Sequence, residues 1–271
     1  MPRYQGAAYI QGMDNSALLA LAAGLADEAA QLILAVRARG FVVTKKEDFS
    51  PVTEADRAAE ALITQGLRAA TPDIPVIAEE EVASGRITTI DGRFWLVDPL
   101  DGTREFAAGQ AAFAVNIGLV ENGVAILGAV AVPASGEIFG GIVGAGAWKR
   151  QNGETHPITT RAPPSAGLTV LASRHHGDDP ALQAVLAGRR VATIEKLGSA
   201  VKFCRLAEGG ADFYPRLGPT MEWDTAAPQA LLEAAGGAVL DAAGAPLRYG
   251  KPGFLNPPFF CYGRAPGAVA R

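Results

Sequence analysis

The run Trp95-Leu96-Val97-Asp98-Pro99-Leu100-Asp101-Gly102-Thr103 constrains this chain more than any other stretch. Phe94 to Val97 is apolar enough for a buried strand, and the strand stops at Asp98-Pro99. It therefore delivers two aspartates, at i and i+3, into a turn. Pro99 restricts the residue before it, and Gly102 lets the backbone approach a ligand closely. Two carboxylates and one carbonyl in such a turn can converge on hard cations, which take oxygen ligands. A strand-ending turn with solvated acids is the plain alternative, and Asp-Pro-x-Asp-Gly alone would favour it. The apolar strand before the motif and Thr103 after it tip the balance towards a site.

Three further acidic segments bear on the same question. Glu79-Glu80-Glu81 follows a short apolar strand, Pro75 to Ala78, much as Asp98 does. Two adjacent strands ending in carboxylates could build one site, and like charges packed together are costly unless a cation neutralises them. Asp56 lies three residues after Thr53, the spacing of an N-cap and its capping-box partner, so a purely structural role suits it equally. Asp224, in Glu222-Trp223-Asp224-Thr225, could also be a plain helix cap. With Asp224 as cap, Pro228 would remove the first intrahelical hydrogen bond.

Periodicity places these segments in a mixed fold. Asn15 or Ser16 can cap a first helix that Gly40 stops, with Leu18, Leu21, Leu25, Leu32 and Val36 on one face. A second runs from Thr53 to about Ala70 over Ala55, Ala59, Leu62 and Ile63. Phe113 to Val120 and Val124 to Val132 form a hairpin through Glu121-Asn122-Gly123. Shorter strands follow over 138–143 and 147–149. The stretch from His156 to Gly167 carries three prolines and reads as a crossing. Beyond it strands at 168–172, 190–194, 211–214 and 238–241 alternate with helices at 180–187, 199–208 and 225–235. The expectation is a layered α/β protein: an α+β metal-binding unit over 1–157 and an α/β unit over 158–271 that completes the substrate site.

A net charge of -4 gives no footprint for nucleic acid. An anionic substrate would then need bound cations to attract it. Two cysteines, Cys204 and Cys261, make no disulfide framework and fit a reducing cytoplasm. The N-terminus shows no signal-peptide core, and the apolar run from Ala17 to Ala26 ends at Asp27-Glu28, too short for a bilayer. A cytoplasmic protein is expected. Peripheral association with the cytoplasmic face of the inner membrane stays open, as does the choice between monomer and homodimer.

Together these motifs resemble the lithium-sensitive, magnesium-dependent phosphatases of the inositol monophosphatase superfamily. The resemblance runs from the Val52 segment to Leu255-Asn256-Pro257-Pro258-Phe259. It is most specific in Trp95 to Thr103 and in Trp223 to Ala227 followed by Ala235-Gly236-Gly237. It implies a layered αβαβα fold and two or three Mg2+ ions held by Glu79, Asp98, the Leu100 carbonyl, Asp101 and Asp224. It also implies that Asp56 and Thr103 orient an attacking water, with Glu80 as a supporting acid.

Within the superfamily, Gly198-Ser199-Ala200-Val201-Lys202-Phe203-Cys204, Tyr214-Pro215-Arg216 and Gly218-Pro219-Thr220 resemble the 3'(2'),5'-bisphosphate nucleotidase branch. The implied substrate is adenosine 3',5'-bisphosphate, hydrolysed to AMP and phosphate. Asp101, Gly102, Thr103, Arg104 and Asp224 would meet the scissile phosphate. Ser173, His176, Ser199, Lys202 and Arg216 would face the nucleotide and its second phosphate. Without the resemblance, Ser199 and Lys202 read as a helix cap and a solvated lysine, and His175 and His176 as loop residues. Two other functions stay open: an inositol or sugar monophosphatase, and a non-catalytic partner of the transcription machinery.

Overall fold

The computed structural model describes residues 13–45, 51–173 and 180–264. Helix α1 (Asn15–Arg39) is followed by β1 (Val43–Lys45), β2 (Pro51–Thr53), α2 (Glu54–Ala70), β3 (Val76–Ala78) and α3 (Glu79–Ala83). Next come β4 (Arg93–Asp101), α4 (Thr103–Ala107), β5 (Ala114–Glu121), β6 (Val124–Val132), β7 (Glu137–Ile142), β8 (Gly146–Gln151) and β9 (Glu154–Ile158). The second half holds β10 (Leu168–Ala172), α5 (Pro180–Leu186), β11 (Val191–Lys196), α6 (Val201–Ala207), β12 (Phe213–Arg216) and β13 (Thr220–Met221). A 3-10 turn (Glu222–Asp224) then leads to α7 (Ala226–Ala234), β14 (Ala238–Asp241), β15 (Leu255–Asn256) and β16 (Phe259–Tyr262).

Strands β3 to β9 form one sheet in sequence order, parallel only between β3 and β4. The second sheet has the order β11-β10-β12-β16-β14, with β16 antiparallel to both neighbours. Helices α1 and α2 cover one face of the first sheet, and their core joins Leu18, Ala22, Ile33, Ile63 and Leu67 to Trp95, Val97 and Ile117. Helices α6 and α7 lie between the sheets in a core that includes Leu96, Phe139, Phe203, Leu231, Tyr214 and Phe259. Leu182 and Leu186 of α5 pack on the outer face of the second sheet. The order is thus αβαβα, as expected.

Two close approaches set the site's scaffold. A Cβ on Gly128 would sit 2.1 Å from the Ala227 carbonyl oxygen, and one on Gly118 would sit 2.6 Å from the Ala227 nitrogen. The start of α7 therefore rests directly on β5 and β6, a contact only glycine allows. That contact brings Asp224, just ahead of α7, down to the sheet that carries Asp98.

Several local expectations need correction. Asp14, not Asn15 or Ser16, caps α1, its side chain accepting from the Ala17 amide at 2.8 Å. Strand β4 does not stop at Asp98 but resumes pairing at Asp101 after a break in register. Pro99 has no N–H to donate, and the bulge turns both aspartates inward. His156 and Pro157 pair within β9, so the crossing begins only after Ile158. Strand β16, absent from the sequence reading, lies between β12 and β14. Helix α1 continues through Asp27 and Glu28 and is long and apolar enough to cross a membrane. Its Ala22, Ala26, Ala29 and Ile33 are buried against the first sheet and α2, which is what a core helix does.

Candidate metal centre and its surroundings

Four acidic residues from three separated segments meet at the end of β4. Asp98 is 1% exposed and accepts from the Leu100 amide at 2.9 Å. Asp101 ends β4, and its Oδ2 accepts from the Ala200 amide of the second half at 2.5 Å. Asp224 closes the 3-10 turn and accepts from the Met221 amide at 2.9 Å. Glu79 opens α3, directly after β3, the parallel neighbour of β4.

Electrostatics ties the four together. Burial, then the charges of Glu79, Asp101 and Asp224, hold Asp98 well above the usual carboxylate range. Burial, then Asp101 and Glu79, push Asp224 up to about 8. Burial also raises Asp101, against the opposing pull of Lys202, the Ala200 amide and Arg216. Two like charges about 4 Å apart repel by about 4 kcal/mol even at an effective dielectric of 20, so such a set calls for a counter-charge. Among the described residues no three His, Cys, Asp or Glu side chains stand close enough together, as placed, to hold a metal ion by themselves. Mg2+ keeps several waters and takes one or two carboxylates together with phosphate oxygens. The acids and the nearby Leu100 carbonyl offer oxygen donors only, the kind of donor this ion takes.

Beside the acids stands a hydroxyl–carboxylate pair. Thr103 opens α4, and its Oγ1 lies 2.9 Å from Asp56 Oδ1 and 3.1 Å from the Leu100 carbonyl. Asp56 Oδ2 accepts from the Thr53 amide and hydroxyl at 2.7 and 2.6 Å. Asp56 is therefore both the capping-box residue of α2 and the partner of Thr103; the two readings of this residue are not exclusive. Burial raises its pKa, and the bonds from Thr53 and Thr103 counter the rise. Gly102 supplies the turn with φ +92, and a Cβ there would meet the Ala112 oxygen at 3.0 Å.

Asp224 is not the N-cap of α7; its side chain instead reaches back to the Met221 amide at the head of the 3-10 turn. Thr225 holds the cap position, and the first intrahelical bond runs from the Gln229 amide to the Thr225 carbonyl at 2.8 Å. Pro228 thus falls where its missing N–H has no partner to lose. Behind the turn, the fully buried Glu222 accepts from the Gly250 and Lys251 amides at 2.6 and 2.9 Å and pairs with the Lys251 ammonium at 2.7 Å.

The second half lines the other side. A cleft of about 80 Å³ opens between Asp101, Ser199, Lys202, Tyr214, Arg216 and Asp224. Ser199 takes φ +52, an uncommon left-handed setting for a non-glycine residue. Lys202 is not a solvated lysine. It is 3% exposed, donates to the Ser199 and Leu197 carbonyls at 2.7 and 3.2 Å, and is brought down to about 8 by burial. Arg216 donates to Ser173 Oγ at 2.9 Å and to the Pro219 carbonyl at 3.0 Å. Its buried Nε has no hydrogen-bond partner among the described residues. Arg104, the second residue of α4, is exposed. His176 lies outside the described residues.

Glu80 is placed differently from Glu79. It lines a cavity of about 800 Å³ with Arg57, Glu60, Arg68, Glu81 and Arg86, on the α2 side of α3. Asp98, Asp101 and Asp224 are not in that wall. Sequence reasoning passed over Glu60, although it falls one helical turn after Asp56. Burial, together with the charges of Glu80, Glu81 and Glu79, pushes it up to about 7 against the Glu80 amide.

Comparison with known proteins gives a consistent picture. The sequence profile of the inositol monophosphatase family matches residues 14–265. The 3'(2'),5'-bisphosphate nucleotidase CysQ of Escherichia coli strain K12 is 44% identical over 220 residues, covering 80% of this chain and 87% of that protein. The crystal structure of CysQ from Bacteroides thetaiotaomicron superposes with a TM-score of 0.76 at 33% identity, over 92% of this chain and 97% of that one. The IMPase of Thermotoga maritima superposes with a TM-score of 0.74 at 29% identity, over 91% and 92% of the two chains.

Proposed function

The chain belongs to the inositol monophosphatase family of metal-dependent phosphatases, and we propose that it is a magnesium-dependent 3'(2'),5'-bisphosphate nucleotidase converting adenosine 3',5'-bisphosphate to AMP and phosphate. The observation that carries the site is the gathering of Asp98, Asp101 and Asp224, buried within reach of one another's charge and that of Glu79, next to the Thr103–Asp56 pair. The similarity to CysQ proteins supports the substrate.

Glu79, Asp98, the Leu100 carbonyl, Asp101 and Asp224 would hold two or three Mg2+ ions. Bound magnesium would neutralise the phosphate charge and acidify an adjacent water. The chain's own part begins at Thr103. The Asp56 carboxylate is a stronger acceptor than the Leu100 carbonyl and draws the single hydroxyl hydrogen to itself. A lone pair of Thr103 Oγ1 is left to take a hydrogen bond from the attacking water, and Asp56 is the base behind it. Backbone amides at the start of α4 face the phosphate. Attack is in line, with no covalent intermediate on the protein.

Arg216 and Lys202 supply the positive charge that a second phosphate requires. A planar guanidinium with an uncommitted Nε suits phosphate oxygens, whereas the Lys202 ammonium acts mainly by holding the Ser199 turn. Phosphate release from adenosine 3',5'-bisphosphate, inositol 1-phosphate and sugar phosphates tests the proposal. The bisphosphate should give the highest kcat/KM. A preference for inositol 1-phosphate would replace the nucleotidase reading with the monophosphatase one.

A further inference from the structure

Helix α3 has only five residues, yet it carries Glu79 at its first position. A helix of this length has no independent stability in water. Its N-cap, Ala78, offers no side-chain hydrogen bond. The missing cap comes from another helix: Glu60 of α2 accepts from the Glu80 amide at 2.6 Å. Glu60 is 5% exposed, so the bond is shielded from competing water. Two turns further along the same face of α2, Arg68 grips Glu81 through both guanidinium nitrogens, at 2.9 and 2.6 Å. Helix α3 is thus pinned at its start by a carboxyl oxygen and in its first turn by a cation, both from α2. Helix α2 also presents Asp56, one turn before Glu60, to Thr103.

We infer that Glu60 is a positioning residue for the metal centre: it caps α3 in trans and thereby sets where Glu79 stands relative to Asp98 and Asp101. The inference rests on the metal-dependent reading of the site. Partners behind a metal's ligands typically govern affinity by 10–100-fold. Glu60 does so through the backbone of the helix instead of through a ligand side chain. Loss of the cap lets α3 fray and frees Glu79 from its place. A glutamine at the same position keeps an acceptor oxygen, at the same reach, for the Glu80 amide.

The test is calorimetric titration of Mg2+ into the chelator-treated full chain without substrate. It compares the wild type with Glu60→Ala, Glu60→Gln and Leu182→Ala. The last variant loses core packing beyond the second sheet and controls for general destabilisation. Glu60→Ala should weaken Mg2+ binding by about 10–100-fold, while Glu60→Gln restores it and Leu182→Ala leaves it unchanged. Wild-type affinity in Glu60→Ala, or a glutamine variant as weak as the alanine one, overturns the role given to Glu60. A wild type that binds no Mg2+ removes the metal centre itself and the inference with it.

Discussion

The Thr103 hydroxyl and the Asp56 carboxylate lie 2.9 Å apart, joining the first residue of α4 to the first turn of α2 across 47 positions of sequence. The pair brings a proton acceptor to the edge of an acidic cluster without itself belonging to it. Thr103→Val and Asp56→Asn should therefore each lower kcat by about 10²–10⁴, with the Mg2+ affinity within a few-fold of wild type. Steady-state kinetics at saturating Mg2+ measures this. Equal losses in metal binding would instead make the pair part of the metal site.

The acids of the centre give the metal-free protein an unusual pH dependence. Asp224, pushed up to about 8, keeps its proton in the folded chain where the unfolded chain, near 3.8, has lost it. The folded state then binds more protons, so this residue's contribution to stability falls as pH rises from about 4 to 8. Thermal unfolding after chelation should show that decline. Asp224→Asn should flatten it and raise the midpoint at pH 8, and Mg2+ should restore the wild type. A wild-type contribution that grows over this range, judged against Asp224→Asn, contradicts the cluster's electrostatics.

Arg216 and Lys202 should separate on mutation. Arg216→Ala removes the guanidinium with the free Nε and should raise KM for the bisphosphate about tenfold or more, the scale of a charge-assisted hydrogen bond. A monophosphate should suffer less. Lys202→Met leaves the Leu197 and Ser199 carbonyls without their donor and should lower stability by about 1–3 kcal/mol, as denaturant titration would show. Equal effects of Arg216→Ala on both substrates would remove its assignment.

A buried ion network beyond the site couples the two halves. Glu137 of β7, 4% exposed, pairs with Lys149 of β8 and with Arg205 of α6, which also pairs with Glu208. Despite burial, these partners bring Glu137 down to about 2. Its contribution is present above the unfolded value near 4.5 and is lost as pH falls from there towards 2. Glu137→Gln should remove that acid-side loss and, by leaving Lys149 and Arg205 to share Glu208 alone, cost about 1–3 kcal/mol at pH 7. Unchanged stability at neutral pH would show the network to be dispensable.

The parts of the site that share a short segment were legible in the sequence. Asp98, Asp101, Gly102 and Thr103 follow one apolar strand, and that strand together with Thr103 tipped the reading from a plain turn towards a cation site. Asp56 was ambiguous because capping and catalysis ask for the same residue at the same position, and the fold shows it meeting both demands. What stayed hidden was long-range. Glu60 acts through a backbone amide 20 residues away, Glu222 is held by amides 28 and 29 residues on, and Ala200 reaches Asp101 across 99. No local pattern marks such partners. Strand β16 was missed because Pro257-Pro258 precedes it and Cys261-Tyr262 ends it, leaving little alternation to read.

The most direct measurement is phosphate release from adenosine 3',5'-bisphosphate by the chelator-treated wild type and by Asp101→Asn, each titrated with Mg2+ after circular dichroism has shown both to be folded. The wild type should be inactive without Mg2+ and recover in proportion to site occupancy, while Asp101→Asn should stay inactive throughout. Turnover that ignores the chelator, or an Asp101→Asn variant that recovers with the wild-type Mg2+ dependence, would contradict a metal centre built on these four acids.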